Sequence, residues 1–296
     1  MTTSTRAFVI ASLIALPAAA TLYLLVLLGA SAAWPAMVHL TIFGWITGMI
    51  FAVNYHTMPV FAARDFPRPR LIWAHWAAWV AGAALAAAGI LGGWDALAAL
   101  GLALELGAAL LFAANTVLLF RRGVSRATRP LPPPIADQPL VDKVGTQATR
   151  GAGMSLPLAL LLLLANRLGW LSGAWVLPAE HLATLGWLLL MIVGVAYHVL
   201  PRFSGRGTRG PAWASWQLRA HYAALALMVP ALGFGWGRLF AASGLLMTLA
   251  LVLFAWTVWP TLSERLAIGD WRVGRRRGKS PIADRRSPIP LEEHRR

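Results

Sequence analysis

One stretch of this chain is written twice. Val38 to Phe61 reads VHLTIFGWITGMIFAVNYHTMPVF, and Glu180 to Phe203 reads EHLATLGWLLLMIVGVAYHVLPRF, and the two align end to end without a gap. Eleven of the aligned positions are identical, among them His39/His181, Gly44/Gly186, Trp45/Trp187, Tyr55/Tyr197, His56/His198 and Pro59/Pro201. A third histidine follows in each copy, His75 in AHWAA and His221 in AHYAA, after a connection slightly longer in the second copy. Six of the seven histidines are thereby paired. Such a repeat constrains the fold more than composition does, because each copy must be one packing unit and the fold must be built from two of them.

Composition says what kind of unit it is. The chain is 58% hydrophobic and 12% charged, with a mean hydropathy of +0.63. Apolar runs of about 20 residues, long enough to cross a hydrocarbon layer of roughly 30 Å, recur along most of its length. Eight are expected, near 7–30, 35–60, 71–91, 94–120, 152–171, 178–201, 212–234 and 238–262. The expected fold is an all-α integral membrane protein: eight transmembrane helices as two parallel four-helix repeats about a pseudo-twofold axis. Its units are residues 1–121 and 152–262, joined by a Pro/Arg-rich linker over 122–151 and followed by a basic tail over 263–296.

A net charge of +15 would point to nucleic acid in a soluble protein, but its placement excludes that reading. Nearly all of the 26 Lys and Arg residues fall on one side of the expected spans; only Arg167 and Arg238 fall on the other. By the positive-inside rule both termini are cytoplasmic, in a bacterial-type inner membrane, and an even number of crossings per repeat makes the copies parallel. The basic tail then faces anionic lipid. Arg6 before an apolar run and Ser31-Ala32-Ala33 look like parts of a signal peptide, yet the run is too long for a signal core and matches the fifth span in the repeat; it is expected to be the first helix. The absence of cysteine removes disulfides, thiolate metal sites, iron–sulfur clusters and thioether-attached heme. No Gly-rich phosphate loop or paired-carboxylate motif is present. Glu105 is a lone acid deep in a span, with no counterpart in the second copy, and a proton-relay role is one reading of it.

Histidines in apolar helices are commonly hydrogen-bonded structural residues, but duplicated ones suggest paired sites, and imidazole is a usual ligand of heme iron and other metals. His39 and His56 are separated on one span by about 25 Å of helix rise, as are His181 and His198. His39 and His181 thus form an outer layer, and His56, His75, His198 and His221 an inner one beside the basic loops. In regular α-helix that spacing leaves the two histidines of one span about 100° apart in azimuth.

The run His39, Tyr55, His56, Pro59 resembles the second transmembrane helix of the heme-copper oxidase subunit I superfamily, above all its nitric oxide reductase branch. The resemblance implies that His39 and, through the repeat, His181 take the position of a low-spin heme ligand. It covers the second and sixth spans and extends to the rest only as architecture built from four-helix units. The chain lacks the His-His pair and the His-x-x-x-Tyr segment of the copper site, and it lacks the His-x-His helix that holds two hemes. Its His-rich apolar helices also resemble heme- and copper-carrying membrane proteins of the NnrS type, linked to the nitric oxide response.

The leading expectation is therefore a b-type heme protein for electron transfer or diatomic gas binding. His39 and His181 would supply axial ligands, Gly44 and Gly186 would leave room for the macrocycle, and Arg167 and Arg238 would pair with the propionates. A different class is a copper or zinc binder or transporter using His56, His75, His198 and His221, where copper or a second heme would sit. A third is a structural subunit without cofactor. Expected partners are membrane lipid, a redox partner or quinone, and a second copy of the chain; no nucleic acid is expected.

Overall fold

The computed structural model describes residues 2–62, 64–121, 135 and 137–263. Among them the chain is all-helical, built from eight long helices: α1 (Thr3–Leu27), α2 (Ser31–Ala62), α3 (Pro69–Gly92), α4 (Asp95–Phe120), α5 (Gln138–Arg167), α6 (Gly173–Ser204), α7 (Pro211–Gly233) and α8 (Gly237–Leu262). Seven of them are long and apolar enough to cross a membrane; α7 is long enough but carries Gln217, Arg219 and His221.

Local chemistry sets the ends. Pro69 and Pro211 open α3 and α7, where a missing N–H costs nothing. Gly93 (φ 68°) and Gly205 (φ 69°) close α3 and α6 in the left-handed conformation that favours glycine. The helix α5 begins at Gln138, inside the stretch expected to be linker, so its first turns pack with the bundle instead of spanning a gap. Residues 122–134, like the tail from 264, lie outside the described residues.

The two copies of the repeat share their irregularities. In α2 a 3₁₀ turn (Ser31–Ala33) leads to α-helix (Trp34–His39), π-helix (Leu40–Thr47) and α-helix again (Gly48–Ala62). In α6 the same order runs through Gly173–Trp175, Val176–His181, Leu182–Leu189 and Leu190–Ser204, each boundary at the aligned position of the repeat. In both, the π-helix starts on the residue after the repeated histidine. Underwound segments of this kind are rare and collect at functional sites.

α2 and α6 meet in the middle of the bundle. Trp187 Nε1 donates to Thr47 Oγ1 at 2.9 Å, joining one π-helix to the other. Around it Phe51 packs against Phe112 (4.7 Å between ring centroids), Trp79 (4.8 Å) and Trp187 (5.7 Å), forming a buried aromatic cluster. At one end of the bundle Arg167 Nη1 reaches Asp95 Oδ1 at 3.1 Å; at the other the His198 ring lies 6.2 Å from Phe61. α2 and α6 therefore share a core with α3 and α4.

Candidate functional site: the buried pair His39 and Glu105

Glu105 lies well inside α4, about 15 Å from its start, and is completely buried. An isolated carboxylate there would cost on the order of tens of kcal/mol by Born solvation, so the group must be neutral or paired. The partner is His39, itself 4% exposed, whose Nε2 stands 3.2 Å from Oε1. The approach is close enough for ion pairing but off the hydrogen-bond direction, and among the described residues neither Nε2 nor either carboxylate oxygen has another partner. Phe43 covers the imidazole at 4.8 Å. On the other side Gly82 of α3 is pressed against the acid: a Cβ on Gly82 would come within 2.8 Å of Glu105 Cγ.

Beside His39 is a cavity of about 40 Å³, lined in part by Val38, Asn166, Arg167, Val176 and Glu180. That volume holds water rather than a larger ligand. The imidazole and the carboxyl thus stand within ion-pairing distance, and the cavity beside His39 extends to Arg167.

The other repeated histidines have different surroundings. His181 is half-buried, 6.3 Å from Phe240, and its Nδ1 bonds the carbonyl of Leu177 at 2.9 Å. A carbonyl only accepts, so Nδ1 carries the hydrogen and Nε2 is left with a lone pair. His75 is fully buried; its Nδ1 is 2.9 Å from the Tyr55 hydroxyl, which also accepts from Asn115 Nδ2 at 3.2 Å, and its Nε2 has no hydrogen-bond partner among the described residues. Phe8, Phe51 and Phe112 surround that ring. His221 donates from Nε2 to the carbonyl of Leu185 at 2.9 Å. His56 is exposed. His198 bonds Asp142 Oδ1 at 2.9 Å, and Arg202 grips both oxygens of the same carboxylate at 2.8 and 2.7 Å.

The four inner-layer histidines thus stand in four environments, with His56 in the open and His75 fully buried across their shared loop. Among the described residues no three of His, Cys, Asp and Glu gather into a metal-ligand set.

A heme shared by His39 and His181 does not fit this arrangement. The nitrogen of His39 that iron would take faces Glu105, and the adjoining cavity is far too small for a macrocycle. The glycines are used for close helix packing: a Cβ on Gly186 would meet Ser155 Cβ at 2.8 Å, and one on Gly44 would meet Ala15 Cβ at 3.0 Å. Gly44 does border a cleft of about 500 Å³ between α1, α2 and α3, but that cleft has no histidine in its lining, and its hydroxyls, Ser12 and Thr21, bond carbonyls of their own helix. Arg167 lines the small cavity and pairs with Asp95, while Arg238 is exposed at the start of α8. His181 taken alone does have the orientation of a metal-binding imidazole, with Nδ1 anchored and Nε2 free.

The sequence singles out Glu105 as an anomaly but gives no sign that His39 is its partner, and Asp142 draws no notice among the polar residues before the fifth span. The chain matches no protein-family model and no curated protein.

Proposed function

We propose that this chain is a multi-pass membrane protein whose working site is the His39–Glu105 pair, which takes up and gives back a proton within the bundle. The observation that carries the reading is a fully buried carboxyl 3.2 Å from a buried imidazole, both short of hydrogen bonds, next to a water-sized cavity. Ionisable groups inside a membrane are costly and mark ion and proton pathways when they persist. In the neutral pair the proton sits on the carboxyl; its transfer to Nε2 makes an imidazolium–carboxylate pair, and a further proton from the cavity gives imidazolium beside a neutral acid. By the placement of basic residues, both termini are cytoplasmic, so the pair lies in the outer half of the membrane and exchanges with the outer side. Infrared difference spectroscopy across a pH titration tests this. A carboxylic C=O band that changes with pH should vanish in Glu105→Gln and shift in His39→Gln. A band unaffected by either substitution would remove the proposal.

A second reading is favoured by the His181 geometry and by the resemblance of the second and sixth helices to heme-bearing ones. His181 would hold a b-type heme through Nε2, with Leu177 fixing the ring, and the heme would supply electron transfer or diatomic gas binding, with a quinone or protein redox partner. A reduced-minus-oxidised optical spectrum of the purified protein decides it: heme bands lost in His181→Ala support the reading, and no heme bands in protein purified from heme-replete cells would reject it.

A further inference from the structure

Each π-helix has a carbonyl that is capped from outside its own helix, and the two carbonyls are equivalent in the repeat. Phe43 O accepts from the indole N–H of Trp79 at 3.1 Å, and Leu185 O, its aligned counterpart, accepts from Nε2–H of His221 at 2.9 Å. The donors come from corresponding helices, α3 and α7, but not from corresponding positions. His221 is the counterpart of His75, whereas Trp79 is one turn beyond His75, which turns instead to Tyr55. Two unlike side chains have thus arrived at the same acceptor. Trp79 is 1% exposed and His221 fully buried, so both bonds are made without competition from water.

Helical ladders satisfy their own carbonyls when every residue keeps one register, and a buried carbonyl left out of the ladder has to find another donor. A donor held at a fixed place on a neighbouring helix therefore favours whichever register presents a carbonyl to it. The register matters because an i→i+5 turn underwinds the helix. The azimuth between His39 and Tyr55–His56, or between His181 and Tyr197–His198, is then not the one that regular α-helix would give at the same spacing.

We propose that Trp79 and His221 are positioning residues that hold α2 and α6 in the π register and so set the direction in which His39 and His181 point. This assignment is independent of whether the His39–Glu105 pair carries a proton.

The natural absence of cysteine allows spin-label distances to be read directly. Nitroxides at Leu177→Cys and Ile192→Cys, both exposed residues of α6 on either side of its π-helix, report the register there; Trp34→Cys and Val53→Cys do the same on α2. His221→Phe removes the donor and should shift or split the α6 distance distribution. His221→Gln, whose amide nitrogen reaches the place of Nε2, should restore it. Trp79→Phe should act on the α2 pair and leave the α6 pair alone. Where His221→Phe does not fold, Trp79→Phe carries the test, since it keeps a buried ring and loses only the N–H and part of the volume. Distributions unchanged in folded donor-less protein would overturn the proposal. So would a change in His221→Phe that glutamine fails to reverse, because the effect would then belong to shape and not to the bond.

Discussion

Trp187 donates its indole N–H to the hydroxyl of Thr47 at 2.9 Å, with both residues fully buried and one in each copy of the repeat. A buried donor left without its acceptor costs about 1–3 kcal/mol, whereas removing both partners together can be close to neutral. Thr47→Val should therefore destabilise the bundle by about 1–3 kcal/mol in a reversible unfolding assay, through the stranded indole N–H. Trp187→Phe loses ring volume as well and should cost more than Thr47→Val. The double variant should cost less than the two single effects added together, and strict additivity would show that the bond couples nothing.

Gly82 is the point where α3 is pressed against the buried acid. Gly82→Ala places a methyl group within 2.8 Å of Glu105 Cγ and 2.9 Å of the Gly101 carbonyl, so helix and side chain must move apart. Overpacking of this kind costs about 1–3 kcal/mol. The variant should unfold more readily, and its Glu105 C=O band should shift while the protein remains folded. A stable Gly82→Ala protein with an unaltered band would mean that the acid is not confined there.

The bundle's outline is legible in the sequence because the ends of its helices carry strong chemical signals. Glycine stops α3 near Gly93 and proline starts it at Pro69, so the expected span 71–91 falls within Pro69–Gly92. The start of α5 is not legible. Its first turns, with Gln138, Asp142 and Lys143, are too polar for an apolar-run search, and they are helical because they pack: Gln138 Nε2 donates to Asp142 Oδ1 at 2.8 Å and to the Tyr197 carbonyl at 3.2 Å. The π-helices leave no trace either, since Leu40–Thr47 is composed like any apolar helix and a donor on another helix caps it. For the same reason His39 stands out through the repeat and Glu105 through its charge, but their meeting depends on helix azimuths that the intervening sequence does not specify.

Asp142 ties α5 to α6 through His198 and Arg202, at the end of the bundle away from Glu105. Its side chain is 24% exposed and that of Arg202 36%, so screening by solvent reduces what the pair contributes. Asp142→Asn should lower stability by about 1 kcal/mol. The loss should shrink as salt is raised, because added ions already weaken the pair in the unaltered protein. A loss independent of salt would assign the effect to packing of the α5 start and not to charge.

The proposed membrane orientation rests on the crowding of Lys and Arg on one side of the spans, with Arg167 and Arg238 alone on the other. Reporter fusions after Arg122 and after Arg265 should both read cytoplasmic. An external reading after Arg265 would reverse the second repeat relative to the first, and one after Arg122 would move His39 and Glu105 away from the outer side.

The most direct measurement is the ¹⁵N NMR spectrum of the imidazoles in histidine-labelled protein, with His39 assigned by substitution. A proton shared with Glu105 predicts that the His39 Nε2 resonance changes with pH and moves in Glu105→Gln, while the resonance of His181 Nδ1–H, bound to the Leu177 carbonyl, is unmoved by Glu105→Gln. A His39 resonance indifferent to both pH and Glu105→Gln would contradict the account.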